Sequence, residues 1–173
     1  MIPNSSTVLS ATLSGEFRWF CNKNIQQLKL GDQVVGSLRK TSFWSSDFQA
    51  ESTYGSWKFS RRGMLGTGAE ILDMATNQCV AAFKSNWGRG MLIFADGETF
   101  QINSKGYWRP FWSVRTLDGQ LVVSMSSWDS GVELIRRAGM VEGRSVLLAF
   151  FLKSHMQQIA EDDGTMAAML AAT

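Results

Sequence analysis

The chain has 173 residues, 45 % of them hydrophobic and 18 % charged, with 17 Lys+Arg against 15 Asp+Glu and a net charge of +2. That length suits one domain burying roughly 70 % of the surface its unfolded chain exposes, and so small a charge gives no field argument for a nucleic-acid or acidic partner. Two cysteines (Cys21 and Cys79) and one histidine (His155) exclude a disulfide scaffold, a Cys-based structural zinc site and a His-pair metal site within one chain.

The N-terminus, Met1-Ile2-Pro3-Asn4-Ser5-Ser6, shows neither the basic start nor the apolar run of a signal peptide. Residues 1–15 read as a flexible N-terminus, and the protein is expected in the cytoplasm with both thiols reduced. From residue 16, stretches rich in β-branched and aromatic residues alternate with turn signals, at the roughly 8–12-residue spacing of a sandwich or barrel. Twelve strands are expected: 16–21, 25–30, 33–40, 47–52, 56–61, 69–74, 78–84, 90–95, 98–103, 107–115, 120–125 and 131–136. Asp96-Gly97 and Asp118-Gly119 sit between such runs, with glycine supplying the positive φ of a tight hairpin. Within 98–103 Phe100 and Ile102 share one face; within 56–60 Trp57 and Phe59 alternate with Ser56, Lys58 and Ser60. Cys21 and Cys79 fall in expected strands, where each would act as a small apolar side chain. No composition shift marks a domain boundary, so 16–160 reads as one domain.

The pattern changes after Gly143. Residues 144–160 are the one strong helix candidate, and 146–152 (Val-Leu-Leu-Ala-Phe-Phe-Leu) is apolar on every side. A helix of that kind must be surrounded by protein or lipid. Seven apolar residues fall far short of the ~20 needed to span a bilayer, so protein is the better answer. A long antiparallel meander with one buried helix implies a closed β-barrel around that helix. Leu148, Phe151, Leu152 and His155 would form its core stripe. Residues 161–173 read as a tail, frayed or forming a short accessory helix.

The succession of Gly55-Ser56-Trp57-Lys58-Phe59, Arg61-Arg62-Gly63, Ala69-Glu70-Ile71-Leu72-Asp73, Val80-Ala81-Ala82-Phe83-Lys84-Ser85-Asn86-Trp87, Leu92-Ile93-Phe94-Ala95-Asp96-Gly97-Glu98-Thr99-Phe100, Trp112-Ser113-Val114-Arg115 and the apolar helix resembles the tubby C-terminal-like superfamily. That group includes LURP-one-related and phospholipid-scramblase-like proteins, and the similarity is greatest to its small stand-alone members. It covers roughly residues 16–160. The resemblance implies a mainly β fold, a closed twelve-stranded antiparallel β-barrel around a central hydrophobic C-terminal helix. It implies no catalytic activity, and it suggests phosphoinositide-type binding through cations on the barrel exterior. The calcium-binding and membrane-inserted segments of scramblase-like proteins have no counterpart here.

No residue pattern points to catalysis, a cofactor or a metal. His155 lacks a Gly-x-Ser-x-Gly elbow or other nucleophile context and reads as a packed histidine near the barrel rim. Gly63-Met64-Leu65-Gly66-Thr67-Gly68 lacks the Gly-Lys-Ser/Thr end of a phosphate loop. The run Lys105-Gly106-Tyr107-Trp108-Arg109-Pro110-Phe111-Trp112-Ser113-Val114-Arg115 could stack bases, but strand alternation sends part of its aromatic set into the barrel, which weighs against nucleic acid. The densest basic set is Lys58, Arg61, Arg62, Lys84 and Arg89, with Trp57 and Trp87 in the same stretches as residues that could sit among lipid headgroups. The expected function is a non-enzymatic binding or tethering module for an anionic phospholipid surface. The alternative is a protein–protein interaction scaffold, homodimeric or otherwise.

Overall fold

All twelve expected strands are present. In the computed structural model, which describes residues 16–63, 68–86, 89–106, 110–127, 129–135 and 139–171, they are β1 (Phe17–Asn22), β2 (Ile25–Leu30), β3 (Gln33–Lys40), β4 (Phe48–Ser52), β5 (Gly55–Arg62), β6 (Gly68–Asp73), β7 (Cys79–Asn86), β8 (Arg89–Phe94), β9 (Thr99–Lys105), β10 (Phe111–Thr116), β11 (Leu121–Ser126) and β12 (Gly131–Leu134). Each pairs antiparallel with the next, and β1 pairs with β12 through Phe17–Val132 and Arg18–Gly131. The barrel is closed, so no strand edge is left to recruit a foreign strand. Register slips beside Leu28, Ile71 and Val114; such bulges increase local twist, which closure requires. The expected flexible stretch 1–15, Trp87, Tyr107, Trp108 and Arg109 lie outside the described residues.

Strand alternation decides what fills the barrel. Phe17 and Trp19, Phe48 and Ala50, Trp57 and Phe59, Phe100 and Ile102, Trp112 and Val114 are all buried at spacing two. The helix α1 (Arg144–Ala171) packs among them. Its stretch 146–152 is at most 5 % exposed at every residue, which needs protein on all sides. Aromatic contacts arrive from strands around the circumference: Trp19 of β1 meets Phe150 at 5.5 Å, Phe59 of β5 and Phe83 of β7 meet Phe151 at 6.0 and 5.3 Å, and Trp112 of β10 meets His155 at 5.5 Å. A helix packed outside the sheet could not touch all four strands. Gly36 makes room for it, since a Cβ there would lie 2.8 Å from the Phe150 ring and 2.5 Å from the Glu51 carbonyl.

Three expectations need correcting. The helix does not stop near 160; it continues to Ala171, through the stretch read as a tail. Its 28 residues give a length of about 42 Å, and from Ala160 to Gly164 it is exposed, having left the barrel. Cys21 and Cys79 are both exposed rather than filling apolar space. Finally, Trp57 is a core residue, only 6 % exposed.

The meander gives the barrel two unlike ends. At the base, where α1 begins, Arg144 bonds Asp96 at 2.8 Å and also Glu98, and its guanidinium lies 4.0 Å from the Phe94 ring centroid. The two carboxylates also bring negative charge to the helix N-terminus, which the helix dipole favours. At the opposite end, the rim, α1 emerges between Lys40, which pairs with Glu161 at 2.9 Å, and Arg61, which holds Asp162 through two bonds of 3.0 and 2.8 Å.

Candidate functional site at the rim

Placing the sequence-derived basic set on this barrel divides it. Trp57, Phe59 and Arg61 share the inward parity of β5, so Trp57 is in the core and Arg61 turns into the barrel mouth to meet Asp162. Neither is available to an outside surface as expected. Lys58 and Arg62 face outward, but each has an acidic partner: Asp47 at 3.2 Å and Glu70 at 2.8 Å. Only Lys84 and Arg89 remain exposed without a carboxylate among the described residues; Arg89 reaches the Ser104 carbonyl at 3.4 Å. Trp87, between them, lies outside the described residues. The expected five-cation patch with two tryptophans is therefore not a single site. The helix residues of the same set behave otherwise: Leu148, Phe151, Leu152 and His155 are all buried.

The most exposed large apolar side chains lie elsewhere on the rim. Phe43 is 82 % and Trp44 91 % exposed, in the connection between β3 and β4. Their rings meet edge to face at 5.0 Å. The loop that carries them is tied down. The Thr41 amide donates to the Asp47 carbonyl at 3.0 Å, closing its neck. Inside the neck the Ser45 amide donates to the Ser42 hydroxyl and the Asp47 amide to the Ser45 hydroxyl, at 3.1 and 3.0 Å. The Gln158 amide of α1 donates to the Ser46 carbonyl at 2.7 Å. Serine side chains thus supply the turn, as their local hydrogen bonding favours. Two aromatics are held in water by a loop with its own bonds.

Cations surround this loop. Lys23, Arg39 and Lys40 line the same cleft as Phe43. Strand directions place Lys84, Arg89 and Lys105 at the rim as well. Among the described residues, Lys23, Arg39, Lys84, Arg89 and Lys105 have no carboxylate partner. The base is the reverse: its connections carry Asp32, Asp73, Asp96, Glu98 and Asp118. A near-neutral chain therefore hides a charge separation along the barrel axis, which total charge cannot reveal.

No protein-family model, curated protein or solved structure matches the chain.

Other chemistry finds little foothold in the described residues. No three His, Cys, Asp or Glu side chains among them gather closely enough to hold a metal ion. His155 is enclosed by Phe83, Trp112 and Phe151, with ring centroids at 4.9, 5.5 and 5.9 Å. No helix among the described residues is long and apolar enough to cross a membrane. The sequence signal for the rim loop was a Phe-Trp pair set among four Ser and Thr residues between two strands, where neither aromatic could join an inward face.

Proposed function

We propose that the protein is a non-enzymatic tethering module, a member of the tubby-like group, that docks its rim on an anionic phospholipid surface at the cytoplasmic face of a membrane. One observation carries this reading: Phe43 and Trp44 are held almost fully in solvent on a bonded loop at the cationic end of the barrel. Contiguous exposed apolar surface on a soluble domain marks an interaction site. Trp suits the headgroup level because its ring is amphipathic. The closed twelve-stranded barrel with its central helix fits the architecture that the family resemblance implies.

The magnitudes favour cooperation between the two elements. Each cation near an anionic leaflet contributes about 1 kcal/mol, and each aromatic about 1.5–3 kcal/mol when fully removed from water. Neither alone gives firm attachment; several cations and two rings together do. Co-sedimentation with phosphatidylserine-containing vesicles tests this. The native chain should pellet at about 50 mM salt and be released near 500 mM as the charges are screened. Trp44→Ala and Phe43→Ala should weaken pelleting at both salts. Equal pelleting with purely zwitterionic vesicles would contradict the reading.

The scaffold alternative has a specific observation of its own. Met91 and Ile93 are 40 % and 39 % exposed on the outer face of β8, beside Ala82 of β7. A second protein could cover that strip, and a protein that ignores anionic vesicles would make it the better candidate.

A further inference from the structure

Beside the rim loop, β1–β3 and the outgoing half of α1 enclose a cleft of about 460 Å³. That volume lies in the range of small-molecule sites. One wall is apolar, built from Leu38, Phe43 and Phe48. The opposite wall is a helix stripe: Gln157 and Glu161 line the cleft, and Lys153 continues the same i, i+4 row one turn deeper. Lys23 and Arg39 stand at the mouth.

One lining residue, Gln26, and Trp19 behind it hold polar groups that the fold leaves under-served. Trp19 Nε1 and Gln26 Oε1 are buried and have no hydrogen-bond partner among the described residues. The two belong to adjacent inward positions of β1 and β2, where Cys21 pairs with Gln26 and Trp19 with Leu28. The Lys153 ammonium lies 5.6 Å from the Trp19 ring centroid and pairs with no carboxylate among the described residues. Burial holds its pKa below the ordinary lysine range. Buried polar groups are normally satisfied, and orphans mark strain or a missing ligand. Gln26, which lines the cleft, thus sits diagonally next to Trp19, over whose ring the Lys153 ammonium lies.

We propose that this cleft binds an amphipathic monocarboxylate, its aliphatic chain against Leu38, Phe43 and Phe48 and its carboxylate directed toward Lys153 and the Trp19 N–H. Both groups donate to an anion, and the Gln26 amide, turned over, offers its NH2 to the same oxygens. Charge-assisted bonds of this kind are the strong ones. The site shares Phe43 with the docking surface but does not rest on membrane docking.

The test is calorimetric titration of the full chain with decanoate and with decanol, both below the concentration at which decanoate forms micelles. Decanoate should bind with a stoichiometry of one and at least about tenfold tighter than decanol. Lys153→Met should bring decanoate down to the affinity of decanol. As a check independent of any variant, the Trp19 indole N–H resonance should move downfield with decanoate and stay in place with decanol. Trp44→Ala should leave decanoate binding intact while weakening vesicle binding, so the two proposals fail separately. Equal affinity for decanoate and decanol, no saturable decanoate binding, or a Lys153→Met variant that binds decanoate as the native chain does would each overturn the site.

Discussion

Arg61 and Asp162 stand 101 residues apart in sequence and share two hydrogen bonds of 3.0 and 2.8 Å at the point where the central helix leaves the barrel. Lys40 and Glu161 make the neighbouring contact from the other side. With Arg144 held by Asp96 and Glu98 at the base, ions fasten the helix where it enters and where it leaves the barrel, and apolar packing holds it in between. A bidentate guanidinium–carboxylate pair is the best geometry for such a fastening, although partial exposure limits its energy.

A double-mutant cycle on Arg61→Ala and Asp162→Ala should therefore give a coupling of about 0.5–1 kcal/mol, near the upper end for exposed pairs. The consequence should be local. Amide hydrogen exchange should accelerate beyond residue 160 while 146–156 keeps its protection. Faster exchange throughout α1 would show that the clamp holds the whole helix rather than its exit.

The apolar middle carries the larger energy. Leu148→Ala removes a side chain with no exposure and should destabilise by about 2–5 kcal/mol in denaturant unfolding. Gly36→Ala tests the same packing from the strand side, since the added methyl would overlap the Phe150 ring and the Glu51 carbonyl. Overpacking should cost about 1–3 kcal/mol. Combining Gly36→Ala with Phe150→Leu should recover part of that loss, and no recovery would place the clash on the carbonyl instead.

Lys153 gives stability a dependence on alkaline pH. Burial is the main cause of its lowered pKa. Between that folded value and the unfolded one near about 10.4, the unfolded chain holds a proton that the folded chain has shed. Stability gains from this residue as pH rises through the window. Below it, the buried ammonium imposes a constant penalty. Lys153→Met should thus melt higher than the native chain at pH near 7, and the difference should shrink as pH approaches 10. A gap that stays constant with pH would show that the lysine does not titrate differently on folding.

Asp96 works in the opposite direction. The Glu98 backbone amide donates to its carboxylate at 3.0 Å and Arg144 adds a second bond, and together they hold its pKa below the usual carboxylate range. Its stabilisation is present above the unfolded value near about 3.9 and lost as pH falls through the lower folded value. Asp96→Asn should reduce the acid sensitivity of the melting temperature below about pH 4. An acid limb identical to that of the native chain would remove Asp96 from the base clamp.

The sequence carried the fold because two periodicities were strong: alternation such as Phe100 and Ile102, and the all-round apolar run 146–152. The Asp96-Gly97 and Asp118-Gly119 turns separated the strands cleanly. The candidate site was far less legible. Trp57 was placed at a surface although it shares a face with Phe59, and that shared face fills the barrel. Arg61 has the same parity, so its charge is directed into the mouth rather than outward. The partners of Lys40 and Arg61 lie 121 and 101 residues away, and no local pattern announces such pairs. The stretch 161–173 reads as a tail, but Glu161 and Asp162 pair with β3 and β5 where the helix continues out of the barrel. Phe43 and Trp44 lie in a loop of residues that usually mark a turn, and aromatics there are visible only once every inward face has been filled.

Rim docking is tested most directly by nuclear magnetic resonance of the chain on anionic bicelles doped with a headgroup-level nitroxide lipid. Amide signals of 41–47 should broaden strongly, with weaker broadening at Lys23 and Lys84, while those of the base hairpins at Asp96-Gly97 and Asp118-Gly119 stay sharp. Broadening centred on the base hairpins or on the outer face of β8, or none at any rim residue, would contradict it.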